Sequence, residues 1–338
     1  MRIFRLAALL LCAASGSALG QPATKPPDAP VLHYKHIEAW PTPLKGDKGL
    51  PAGPWNYIQV TSVAVAKNGN VLVLHRGDDP ILEYRPNGDL VGAFGDVKFS
   101  HGKVMPMIKA VADVSRTPAM SGYQAVHGLA GCSNCGAHEI RVDPDGNVWV
   151  VDAPSQVIVK MSPRGKTLMT LGSRDKSGQS ATQFYLPTDI AFAPNGELIV
   201  ADGYGNARIV RFSKDGKYLG AFGARGNGPG RFQLPHNVVV DAKGLIYVSD
   251  RETQRIEIFD ASGKFLRQWE NVGALSSLIM TPDQHIWAGG VLRDLDGKAI
   301  ESLPGEGANA RAHGGAVATN GDVYIGLLTG TVEKFVRQ

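Results

Sequence analysis

A short signature recurs six times along this chain and restricts its fold more than any other feature. Each copy is a β-type apolar segment, a tight turn and a second β-type segment. The turns centre on Gly69 (AKNGNVLVL), Gly146 (DPDGNVWVV), Gly196 (APNGELIVA), Gly244 (DAKGLIYVS) and Gly321 (ATNGDVYIG), with Gln284 (TPDQHIWAG) in the remaining slot. Asn-Gly and Asp-Gly suit hairpin turns because both residues accept positive φ. Most copies continue into a further strand hinged on Asp-Gly or Ser-Gly, as in RIVRFSKDGKYLGAFG and RIEIFDASGKFLRQW.

Successive anchors lie 77, 50, 48, 40 and 37 residues apart. A unit of about four strands cannot bury both sheet faces by itself, so such units close radially around a channel. The pattern predicts an all-β chain: one six-bladed β-propeller over residues 21–338, with an insertion at about 97–136 explaining the longest interval. The stretch VLHYKHIEAW (residues 31–40) is expected to supply the outer strand of the last blade and fasten the ring. The 43% hydrophobic and 20% charged content, with 41 glycines placed at turns, fits a globular β protein and excludes wholesale disorder.

The segment MRIFRLAALLLCAASGSALGQPA sets Arg2 and Arg5 before an apolar run and Ala18-Leu19-Gly20. That is the plan of a secretory signal, residues 1–20, and the mature chain is expected to be periplasmic or secreted. Leu11 precedes Cys12 where a lipoprotein signal needs a small residue, which favours a soluble product. Removing Arg2 and Arg5 takes the formal charge from +4 to +2. No basic run or amphipathic stripe stands out, which argues against nucleic-acid and membrane partners, and a monomer is expected. Cys132 and Cys135 in GCSNCG read as a local disulfide in an exported chain. Gly136 after Cys135 excludes haem attachment, and the absence of a second Cys pair excludes a four-ligand structural zinc site built on them.

Eight residues before each anchor stand Thr61, His138, Thr188, His236, Ser276 and His313. Histidine thus fills the second, fourth and sixth units. In a six-fold ring those positions are related by threefold rotation, so three imidazoles point into one channel. Three neutral nitrogens with a fourth position open is the donor set of a catalytic zinc. A lone histidine here would be read as a satisfied rim residue; three in one register are read as ligands. Six residues past each anchor stand His75, Asp152, Asp202, Asp250, Gly290 and Leu327, and the aspartates are expected to satisfy turn amides. Just beyond lie Arg76, Tyr204 and Arg251. Either arginine suits a carboxylate clamp, and a tyrosine beside a dication suits a base.

The segments FYLPTDIAFAPNGELIVADGYGNARIVRFSKDGKYLGAFG and PGRFQLPHNVVVDAKGLIYVSDRETQRIEIF resemble the lyase domain of peptidylglycine α-amidating enzymes, a six-bladed propeller of NHL-type repeats. The resemblance is close over about residues 137–270 and weaker, though in register, over about 58–95 and 311–335. Together, PTD, DGY with the following N and RI, LPH and DRE are more specific than a generic NHL repeat. The resemblance implies zinc held by His138, His236 and His313, an active-site arginine at Arg76, a catalytic tyrosine at Tyr204, and Arg251 near the site. It implies a C–N lyase that splits a peptide or small molecule ending in α-hydroxyglycine into an amide and glyoxylate. The chain also departs from the family. Gly314 follows His313 where the family has an aspartate serving a structural calcium, Leu327 stands where an aspartate is usual, and Gly205 replaces a disulfide partner. Calcium at the channel centre then has support only if Glu139 or Asp189 substitutes. His127 in VHGLAG competes with His138 in GAHEI as the first ligand, with register favouring His138. The alternative to the enzyme is a non-enzymatic NHL-repeat propeller that binds a ligand or protein partner across its rim.

Overall fold

Apolar runs that alternate with positive-φ turns leave each strand pair only a neighbouring pair to pack against, and six such units meet in a ring. The computed structural model describes residues 33–38, 40–41, 59–77, 80–99, 136–273, 275–304 and 312–338. Cys132, Cys135, His127, the segment 1–32 and nearly all of the expected insertion lie outside the described residues. The described strands form six antiparallel four-stranded sheets.

The first blade holds β2 (Val60–Val65), β3 (Val71–His75), β4 (Ile81–Tyr84) and β5 (Leu90–Ala93). The second holds β6 (Glu139–Val142), β7 (Val148–Asp152), β8 (Val157–Met161) and β9 (Thr167–Gly172). In the third are β10 (Asp189–Phe192), β11 (Leu198–Asp202), β12 (Arg208–Phe212) and β13 (Tyr218–Phe222). The fourth consists of β14 (Pro235–Val240), β15 (Ile246–Asp250), β16 (Arg255–Phe259) and β17 (Phe265–Trp269). The fifth has β18 (Leu278–Met280), β19 (Ile286–Ala288), β20 (Val291–Arg293) and β21 (Ala299–Ser302). In the sixth, β22 (Ala312–Val317), β23 (Val323–Leu327) and β24 (Thr331–Arg337) are joined at the outside by β1 (Tyr34–Ile37). β1 pairs antiparallel with β24, Tyr34 opposite Arg337 and Ile37 opposite Lys334.

The first strand of each blade lines the channel, and these inner strands neighbour one another in cyclic order, β22 beside β2. The second strands are buried throughout, because each blade is covered on both faces by its neighbours. The core is therefore divided among the joints between blades. One joint packs Trp149, Val151 and Ile158 of the second blade against Phe184, Ile190, Leu198 and Phe212 at the third. Five of the six anchor turns hold glycine at φ between +82° and +88°, and Gln284 takes φ +63° in the fifth blade.

Candidate metal centre

The slot eight residues before each turn sits where the inner strand begins, and the backbone there is irregular. A register shift lies between Val60 and Ser62, between Pro235 and Asn237, and between Ala312 and Gly314. In the second blade the His138 amide bonds the Val151 carbonyl while Glu139 is also the partner of Val151, so two residues oppose one. A bulge of this kind re-aims side chains. It is what lets the slot residue and the one after it both take part in channel contacts.

His138, His236 and His313 are buried and converge, with one ligand nitrogen from each lying within 4.8 Å of the others. Their ring centroids are 4.6–5.2 Å apart. In each ring Nδ1 is committed to an oxygen: His138 to Thr188 O at 2.7 Å, His236 to Asn237 Oδ1 at 2.9 Å and His313 to Thr61 O at 2.8 Å. A carbonyl oxygen can only accept, so Nδ1 carries the proton and Nε2 keeps its lone pair. The Tyr204 hydroxyl stands 2.8 Å from His138 Nε2 and 3.2 Å from His236 Nε2. It has one proton to donate and faces two lone pairs, those of His138 and His236. That donor chemistry fits a cation, and zinc accepts three imidazole nitrogens with one position open. Burial first, then the charges of neighbouring groups, hold His138 and His236 well below the usual histidine range, which keeps both neutral and able to ligate.

The other residues singled out from sequence gather unevenly. Tyr204 touches the tripod directly. Arg76 donates to Gln59 Oε1, and Arg251, buried, donates to Glu252 Oε1 at 2.9 and 3.1 Å. Among the neighbouring charges, Arg76 and Arg251 lower His138, and Arg251 lowers His236. Both cations thus lie within electrostatic reach of the tripod. Asp202 Oδ1 accepts the Tyr185 amide at 2.8 Å, and Asp250 Oδ1 accepts the Gln233 and Leu234 amides at 3.0 and 2.7 Å. These aspartates hold the loops that carry Tyr204 and His236 in place.

Beneath the tripod, sequence reasoning named Glu139 and Asp189 only as substitute calcium ligands and passed over Arg141. Arg141 grips Asp189 with Nε to Oδ1 at 3.0 Å and Nη2 to Oδ2 at 2.8 Å, lies 3.7 Å from Glu139, and donates to the Leu278 carbonyl at 3.2 Å and the Gly315 carbonyl at 3.5 Å. Burial pushes the Glu139 carboxyl well above the carboxylate range, with Arg141 restraining it and Asp189 adding to the rise. The signal was there: five residues before the anchors stand Ala64, Arg141, Ala191, Val239, Ile279 and Ala316, a single arginine in an otherwise apolar ring. This arrangement answers the calcium expectation. Both carboxylates named as substitutes are engaged by Arg141, and a side chain at Gly314 would meet Ser62 Oγ at 2.5 Å and the Thr61 carbonyl at 2.8 Å. The channel residues do not fit a calcium ion. Below Arg141 the channel widens into a cavity of about 260 Å³ lined by apolar inner-strand residues such as Ile140, Val238 and Ile279.

A family model described as DUF5128, 6-bladed beta-propeller, matches residues 187–284. A Caenorhabditis elegans protein named probable peptidyl-alpha-hydroxyglycine alpha-amidating lyase is 30% identical over 207 residues, covering 60% of this chain and 56% of that protein. Human NHL repeat-containing protein 3 is 34% identical over 149 residues, covering 40% of this chain and 43% of that one. The first curated relatives are matched over only 21–56% of their own length. A solved structure described as streptogramin B lyase aligns with a TM-score of 0.56 at 12% identity, covering 90% of this chain and 98% of that one, a likeness of fold alone. The described residues form a six-bladed β-propeller, and 60% of the chain is similar to a protein named as a probable amidating lyase.

Proposed function

We propose that this chain is an exported, zinc-dependent lyase of the peptidylamidoglycolate lyase type, cleaving α-hydroxyglycine amides to a primary amide and glyoxylate. One observation carries the reading: three buried imidazoles offer Nε2 to one point, with the Tyr204 hydroxyl in hydrogen-bond reach of two of them. A zinc ion there would supply Lewis-acid activation of the substrate hydroxyl. The chain's own residues do the rest. Arg76 and Arg251 place positive charge at the mouth and would hold the substrate carboxylate, exchanging contacts now made to Gln59 and Glu252. The Tyr204 oxygen, beside two of the imidazoles, would accept the hydroxyl proton. As the C–O bond becomes a carbonyl, the C–N bond breaks and the amide nitrogen leaves with a proton, so no water is consumed.

Gly314 and Leu327, which stand where the resembling family has aspartates, favour a second reading in which the propeller binds a ligand or protein partner across its rim without catalysis. Metal analysis of the purified protein and of His236→Ala, with glyoxylate release from α-hydroxyhippurate, separates the two. Near-stoichiometric zinc lost in the variant, together with glyoxylate from the wild type, supports the lyase. Zinc without glyoxylate leaves the binder, and absence of metal in both samples removes the enzyme reading. Export is tested separately by sequencing the mature N-terminus after secretion, where a start at Gln21 is expected.

A further inference from the structure

A single guanidinium and its two carboxyl partners join all six blades of this ring. Arg141 belongs to the second blade and bonds directly to Asp189 of the third, Leu278 O of the fifth and Gly315 O of the sixth. Its partner Glu139 accepts from Ser62 of the first blade. Asp189 also accepts the Val238 amide at 3.0 Å and Asn237 Nδ2 at 3.3 Å, both in the fourth. All of these groups are buried or nearly so.

The last of those contacts leads to the tripod. Asp189 Oδ2, held by Arg141, can accept but not donate, so the end of the Asn237 side chain that faces it must be the NH₂. The other end, Oδ1, is then the one 2.9 Å from His236 Nδ1. An amide oxygen there requires Nδ1–H, and that leaves Nε2 bare toward His138 and His313. His138 and His313 have their Nδ1 set by main-chain carbonyls, which the fold supplies regardless. Only His236 depends on a side chain whose orientation is itself imposed from below.

We infer that Arg141, Asp189 and Asn237 form a positioning relay for the triple-histidine centre, with the Arg141 guanidinium serving as the channel's built-in cation in place of a bound metal ion. It rests on the metal reading for its binding consequence only; the tautomer of His236 and the lack of a calcium requirement are properties of the protein without zinc. Oriented partners behind a ligating histidine typically change metal affinity by about 10- to 100-fold.

The test uses the full chain. Long-range ¹H–¹⁵N spectra of the imidazoles report which ring nitrogen carries the proton, zinc affinity is read by competition with a chromophoric chelator, and melting is followed with calcium or with EGTA. In the wild type all three histidines are expected in the Nδ1–H form, and melting is expected to ignore calcium and EGTA alike. In Asn237→Leu the His236 tautomer becomes mixed while His138 and His313 keep theirs, and zinc binding weakens by about 10- to 100-fold. Arg141→Gln moves the same reporter in the same direction; should it fail to fold, Asn237→Leu carries the test alone. An unchanged His236 tautomer in Asn237→Leu overturns the relay, as does a change in all three rings together, which would mean general loosening. A melting temperature raised by calcium overturns the built-in cation. A wild type that binds no zinc but shows the selective tautomer change sinks the lyase reading and leaves the relay standing.

Discussion

Each imidazole of the tripod is anchored by a different neighbour: Thr188 O, Asn237 Oδ1 and Thr61 O. Burial holds His138 and His236 below the ordinary range, and this has a pH consequence of definite sign. Above about 6.5 both folded and unfolded chains carry neutral imidazoles, so these residues add no slope. As pH falls below that value the unfolded chain takes up protons and the folded one does not, so stability of the metal-free protein declines. Urea unfolding at pH 7.5 and 5.5 should show the loss, and His236→Gln should reduce it. Zinc affinity should stay flatter over that interval than for exposed histidines, because no proton has to be displaced. For Tyr204→Phe, turnover is expected to fall by about 10²- to 10⁴-fold, the usual size of a lost acid–base group, with zinc content retained. The histidine register was legible because it repeats. Asn237 was not, since its role exists only once Asp189 of another blade fixes which way its amide points.

At the scale of the strand pair, the turn between inner and second strands and the bulge at its far end set the aim of each site residue. Gly69 sits at φ +83° with nothing within 4 Å of where a Cβ would go, so Gly69→Ala tests backbone strain alone. Its expected cost is about 1–2 kcal/mol, read from the unfolding midpoint. Gly165→Ala should cost more, because its Cβ would lie 2.7 Å from the Gly95 backbone of the preceding blade. Trp149, fully buried at the joint of the second and third blades, donates Nε1–H to Asp143 Oδ2 at 2.9 Å. Trp149→Ala is expected to cost about 3–5 kcal/mol by leaving a cavity at that joint. The turns were readable from Asn-Gly and Asp-Gly alone. The bulges were not, because nothing in a residue's chemistry marks it as one of two opposing one.

Across the whole ring, the closing joint decides whether six weak units behave as one body. β1 pairs with β24, the Tyr34 hydroxyl reaches the Gly321 carbonyl at 3.1 Å, and Trp40 packs against Tyr84 of the first blade and Tyr324 of the sixth. Trp40 also donates to Pro86 O at 3.0 Å. Trp40→Ala is expected to loosen this joint first, with amide exchange rising in β24 and β2 before other blades, and a stability loss of about 3–5 kcal/mol. Uniform loss of protection around the ring would mean the joint is not the weak seam.

The chain's own periodicity determined the blade count, the turn positions and the register that sets a histidine on every second blade, because those are properties of spacing and spacing survives without coordinates. Which oxygen fixes each ring and how Arg141 sits between Asp189 and Glu139 were decided only when distant segments met. A guanidinium in an apolar ring of alanines, valine and isoleucine is an anomaly in one dimension; in three it is the centre of a network that, through Glu139 and Asp189, joins all six blades.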